Sequence, residues 1–250
     1  MGLLDNVQSG IKPPPPKLCV YGPGGIGKTT FAANAPSPLL LQTELGHGLL
    51  STPRIKVDDY GAFSSILDEL ITEQHQYRTL VIDSLDHLEP MIWGYVCVMH
   101  GKGDIEDFGY GQGYSRAEKV WRDLFSSIDE LIEVKRMAFI LIAHAEVKAF
   151  ADPEGESYDR YQPKLNKKAS AVMVEWCNDV LLATYEKYTR KTNDEKRAIA
   201  VGDGRRVIRT EERPAQIAKN RWGLPYEIDL SWDAYWSAVQ QCKAAANGQS

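Results

Sequence analysis

The chain's 250 residues, 43% apolar and 25% charged, can close one core and leave little for a second, which excludes disordered and fibrous classes. It has no run of 18 apolar residues, and Met1 to Lys17 lacks the basic start and apolar stretch of a secretory signal, so a cytoplasmic protein with no membrane partner is expected. Four scattered cysteines suit neither a zinc cluster nor a disulfide framework, and 29 basic against 34 acidic residues give a net charge of only −5.

Lys12 to Lys17 contains four consecutive prolines, a stiff lead-in that cannot be helical. It sets off an arm at residues 1–16 from a single domain at 17–246 and a short tail at 247–250. A short apolar run, Leu18 to Tyr21, leads into a glycine-rich turn and a helix-compatible stretch from Lys28 to Asn34. A second run, Leu39 to Leu41, ends in Gln42, Thr43 and Glu44; Phe63, Ile66, Leu67, Leu70 and Ile71 then recur at helical spacing. Thr79 to Ile82 and Ala138 to Ala143 are further strands, separated by a helix with a buried stripe of Ala117, Trp121, Leu124, Ile128 and Leu131. Such continuous runs indicate buried parallel strands, and their alternation with helices predicts an α/β sheet covered on both faces. Gly101 to Gly113, with five glycines, and Glu146 to Lys168, with five acids and five bases, are expected to be long mobile loops. Arg197 to Val201 and Arg205 to Thr210 flank Gly202-Asp203-Gly204, a tight-turn sequence, and are predicted to pair as a C-terminal β-hairpin. A last helix from Ser231 would bury Trp232, Tyr235, Trp236 and Val239.

The charge is unevenly distributed. Between Glu186 and Arg221 there are 11 basic and 6 acidic residues, a balance of +5, against −10 elsewhere, so this segment favours anionic partners. Gly22-Pro23-Gly24-Gly25-Ile26-Gly27-Lys28-Thr29 fits the phosphate-binding pattern G-x-x-x-x-G-K-[ST] in full, between a strand and a helix, with Thr30 following in the helix. Its glycines let successive backbone N–H groups converge on phosphate oxygens, Lys28 adds a full positive charge, and Thr29 is placed to ligate Mg²⁺ on ATP. Magnesium then needs a carboxylate at a neighbouring strand end, and Asp83, closing Thr79-Leu80-Val81-Ile82, suits that role. Hydrolysis needs a base to orient water, and Glu44 stands past the second strand. His144 ends the fourth strand, where a polar side chain can sense the γ-phosphate.

With these motifs the chain resembles the RecA-like P-loop ATPases, and especially their phage-encoded single-domain members associated with single-strand annealing. Leu40-Leu41-Gln42-Thr43-Glu44 looks like the family strand ending in a catalytic glutamate, Val81-Ile82-Asp83-Ser84 like its metal-binding strand, and Ile142-Ala143-His144 like its sensor strand, where the family usually carries glutamine. Lys219-Asn220-Arg221-Trp222-Gly223 is similar to the KNRFG motif of RadA proteins and the Lys-x-Arg finger of DnaB-type helicases, which act across a subunit boundary. The resemblance implies catalytic roles for Lys219 and Arg221, a homo-oligomer in ring or filament form, and single-stranded DNA and a single-strand-binding protein as partners. It points to the two long loops for DNA. The second of them joins Lys148, Arg160, Lys164, Lys167 and Lys168 with Tyr161 and other rings, the mixture single strands favour. Other readings of the same residues are a helicase-like DNA motor, a small-molecule P-loop kinase, or a non-catalytic nucleotide switch.

Overall fold

The computed structural model describes residues 15–44, 51–186, 188–191, 198–201 and 204–247. The arm up to residue 14, the turn residues Gly202 and Asp203 and the last three residues lie outside them. The elements in chain order are β1 (Lys17–Gly22), α1 (Lys28–Ala33), β2 (Pro38–Gln42), β3 (Arg54–Lys56), α2 (Tyr60–Thr72), β4 (Thr79–Asp83), α3 (Leu85–Met99), a 3₁₀ turn (Ile105–Phe108) and α4 (Gln112–Lys135). They continue with β5 (Ala138–Phe150), β6 (Tyr158–Pro163), α5 (Lys167–Trp176), β7 (Asp179–Tyr185), β8 (Tyr188–Lys191), β9 (Ala198–Val201), β10 (Arg206–Arg209), β11 (Glu227–Asp229) and α6 (Trp232–Asn247).

Eight strands of the main sheet run in the order β11-β10-β7-β1-β5-β4-β2-β3, and β6 adds a ninth by pairing with β5. The strands from β7 to β3 are mutually parallel. Their side chains alternate between two cores. Cys19, Tyr21, Phe139 and Leu141 point into the core under α2, α3, α4 and α5, while Leu18, Val20, Ile140 and Ile142 meet Phe31, Trp232, Tyr235 and Val239 of α1 and α6. Burial on both faces explains why these strands read as unbroken apolar runs. The stripe predicted on α4 is buried as expected, and at the start of α2 the Asp59 side chain accepts from Ala62 N at 2.8 Å.

Four expectations change. Between β4 and β5 there are two helices and a 3₁₀ turn instead of one helix. The glycine-rich stretch is no open loop: Asp104 and Asp107 form a reciprocal capping box on the 3₁₀ turn, and a Cβ on Gly113 would sit 2.2 Å from Ile105 O, so its glycine serves close packing. The second stretch is largely a two-stranded ribbon, with Glu146 to Phe150 pairing antiparallel with Tyr158 to Gln162. The C-terminal antiparallel strands are present with different partners. β10 pairs with β7 and β11, and β9 pairs with β8. Val207 and Ile208 are fully buried, and placing them beside β7 covers an apolar sheet edge that a hairpin with β9 would leave unpaired.

Candidate nucleotide-binding site

The parallel register brings the functional strand ends into one row. Gly22 lies opposite His144, and Asp83 lies opposite Ile142 on one side and Gln42 on the other. β5 therefore separates the strand feeding the phosphate loop from the strand ending in Asp83, and His144 stands between the two. Gly22 is compulsory: a Cβ there would approach Ala183 O to 2.3 Å. Gly25 and Gly27 adopt φ of 74° and 113°, in the left-handed region that turns the backbone into α1. Pro23, Gly24 and Gly25 form the exposed rim, Ile26 is buried beneath it, and Thr30 lies exposed on α1.

Lys28 is nearly buried, and its ammonium donates to Gly22 O and Pro23 O, both at 2.9 Å. Burial pulls its pKa below the usual lysine value, against the pull of the Asp83, Asp86 and Glu44 carboxylates. Thr29 Oγ1 donates to Asp83 Oδ2 at 2.8 Å. Burial raises the Asp83 pKa, and the Thr29 bond opposes that rise. Asp83 thus turns toward the loop and leaves the start of α3 to Ser84. Glu44 lies two residues past β2, where Ser84 Oγ donates to its Oε2 at 3.4 Å. His144 is held from behind by an acid that sequence reasoning missed. Asp86 Oδ1 accepts from His144 N at 3.0 Å, and Oδ2 lies 2.9 Å from His144 Nδ1. Burial pushes the Asp86 pKa up, but the bonds from His144 outweigh it and hold the pKa below the ordinary value. His144 Nε2 is left facing the loop, 4.0 Å from where a Cβ on Gly24 would sit.

These residues fit a magnesium-bound nucleoside triphosphate. The glycine cradle admits phosphate oxygens with no side chain in the way, and Thr29 and Asp83 offer only oxygen ligands, as Mg²⁺ prefers. Residues 14–222 match the family model described as an AAA domain. The chain belongs to this family of P-loop ATPases. No curated protein matches it.

In this AAA domain Lys219 and Arg221 lie apart from the loop, on a segment fixed to β7. Val180 and Lys219 exchange backbone hydrogen bonds at 2.7 and 2.9 Å, and Lys219 Nζ caps α5 by donating to Val174 O and Cys177 O at 2.8 Å. Burial lowers the Lys219 pKa, with Arg221 adding to the effect. Beneath the segment is a second acid the sequence did not reveal, fully buried Asp179. It accepts from Arg221 N at 3.2 Å, Trp222 Nε1 at 2.9 Å and Tyr235 OH at 2.5 Å. The Arg221 side chain is exposed and forms no hydrogen bond or ion pair among the described residues. The visible signal for Asp179 was an acid opening an otherwise apolar strand.

The residues expected to meet DNA are spread along β6, the β5–β6 ribbon and the start of α5. Lys148 pairs with Glu146 at 2.8 Å, Arg160 pairs with Glu212 and lies over the Phe150 ring, and Lys168 reaches Ser115 Oγ at 2.8 Å and Glu118 at 3.3 Å. Lys164 and Lys167 are exposed, as are the Val147, Phe150 and Tyr161 side chains. Arg205 and Arg209 on the basic segment pair with Asp229 and Glu227, whereas Arg206 Nη1 lies 3.4 Å from a Cβ placed on Gly27. No helix among the described residues is long and apolar enough to cross a membrane.

Proposed function

We propose that the domain is a Mg-ATP-dependent ATPase of RecA-like type, completed by a neighbouring copy, that acts on single-stranded DNA in phage-type recombination or strand annealing. The observation that carries the reading is the row of strand ends, with Thr29 bonded to Asp83 and Glu44 beyond it, together with an outward-facing Arg221 on a rigid base. Backbone amides of the loop and the Lys28 ammonium hold the phosphate oxygens. Thr29 and Asp83 would hold Mg²⁺, which when bound would supply charge neutralisation to the phosphates. Glu44, oriented by Ser84, accepts a proton from the attacking water, and His144 Nε2 faces the terminal phosphate. Charge developing on the γ-phosphate oxygens is met by Lys28 and by Arg221 of the adjoining subunit, a contribution of about 10³–10⁵ in rate. Support for DNA comes from the ribbon, whose exposed Phe150 ring carries the Arg160 guanidinium over its face and whose Tyr161 ring is also exposed. A single-strand-binding protein as a further partner belongs to the same reading.

Phosphate release by mixtures of variants tests it. Arg221→Ala and Glu44→Gln are each expected to bind ATP and turn over poorly, and mixing them should restore activity, since one kind of interface then carries both intact groups. No restoration refutes a finger in trans, and equal turnover per subunit at all dilutions favours a monomeric small-molecule phosphotransferase. Anisotropy of a labelled single strand, at low salt with ATP, should rise on adding protein; a flat titration removes the DNA role.

A further inference from the structure

We propose that Glu44, His87 and His144 form a binding site for a transition-metal ion of the zinc class at the mouth of the phosphate loop, and that an ion there holds the subunit inactive by engaging Glu44. The inhibitory half rests on Glu44 being the base; the binding half does not.

The three residues come from separate elements: the segment after β2, the first turn of α3, and β5. A carboxylate oxygen and a ring nitrogen from each histidine all lie within 4.8 Å of one another. His87 Nδ1 is 3.6 Å from Glu44 Oε2, close to the ~3.3 Å edge between two ligands ~2.0–2.1 Å from a tetrahedral ion. The decisive feature is behind His144. The buried Asp86 carboxylate lies against its Nδ1, which leaves Nε2 as the ring nitrogen available to a ligand, the carboxylate–histidine arrangement that orients metal-bound imidazoles. Ser84 Oγ lies 3.4 Å from Glu44 Oε2 and 2.9 Å from His87 Nδ1, so an ion bound at that nitrogen would take it over from the serine.

Ligand chemistry separates this site from the magnesium site beside it. Two imidazoles and one carboxylate suit zinc, cobalt or nickel, whereas the all-oxygen pair of Thr29 and Asp83 suits magnesium. With three protein ligands the ion keeps an open position toward the loop. A cation bound to one Glu44 oxygen withdraws charge from the carboxylate and pins it to the ion, which makes it a weaker base toward water.

The test is a Co²⁺ titration of the chelator-stripped, nucleotide-free protein, followed by visible absorption, with Zn²⁺ as competitor. The expected result is a band typical of nitrogen and oxygen ligands that Zn²⁺ displaces, with affinity reduced at least about 10-fold in H87A and, independently, in H144Q. A sulfur charge-transfer band, no band, or equal affinity in wild type and H87A overturns the site. Zn²⁺ in the presence of excess Mg²⁺ should lower phosphate release by wild type more than by H87A, each relative to its own zinc-free rate. Equal inhibition overturns the regulatory half. If the protein hydrolyses no ATP at all, the proposed function fails, while the cobalt titration still decides the metal site.

Discussion

The strand-end row and the β5–β6 ribbon share one strand, β5, yet they are built on opposite rules. In the row, parallel register fixes each functional group, and the charged groups meet partners within the site: Lys28 on the loop's own carbonyls, Asp83 on Thr29, His144 on Asp86. Past residue 145, β5 leaves the core and pairs only with β6; on this ribbon Lys148 makes an exposed pair with Glu146, while the mostly covered Arg160 of β6 pairs with Glu212. Preorganised charge is expensive to disturb, whereas exposed ion pairs contribute about 0–1 kcal/mol and are readily exchanged for another anion. The row therefore has the character of a catalytic centre, and the ribbon that of an adaptable surface.

The largest effect on this contrast should come from Gly22→Ala. Its Cβ would meet Ala183 O at 2.3 Å across the β1–β7 pair, so a loss of about 4 kcal/mol or more is expected, read as a steep fall in the chemical denaturation midpoint. Retention of wild-type stability would mean the strands at the row have room to separate. Asp179→Ala comes next, leaving three donors without an acceptor at a cost of about 3 kcal/mol, while Asp179→Asn, which keeps an acceptor, should lose roughly half as much. Equal losses for the two would remove the hydrogen bonds as the cause. On the ribbon, Phe150→Ala should weaken single-strand binding about 10-fold by anisotropy, within the ~1–3 kcal/mol of a stacked base. Lys148→Ala, whose cation is already paired, should change binding less than about 2-fold at moderate salt. The reverse order would make the ribbon an electrostatic surface in place of a stacking one.

The phosphate loop, the apolar strands and the α4 stripe were legible in the sequence because each is a local pattern of spacing. Asp86 and Asp179 were not, because their roles depend on partners tens of residues away. Asp86 looks like an ordinary acid in a helix's first turn, and only the register of β5 brings His144 to it. Asp179 looks like a strand-opening acid until α6 and the 219–223 segment close over it. The pairing of β10 was misread for a related reason: Gly202-Asp203-Gly204 favours a local turn, but burying Val207 and Ile208 against the main sheet outweighs that preference.

The most direct test of the row as a hydrolytic site is single-turnover hydrolysis of γ-labelled ATP with Mg²⁺ by wild type and Glu44→Gln, with nucleotide affinity measured on the same samples. The expected result is unchanged affinity and a rate about 10²–10⁴-fold lower in the variant. Hydrolysis by Glu44→Gln at the wild-type rate would contradict the assignment, as would a wild-type protein that binds no adenine nucleotide.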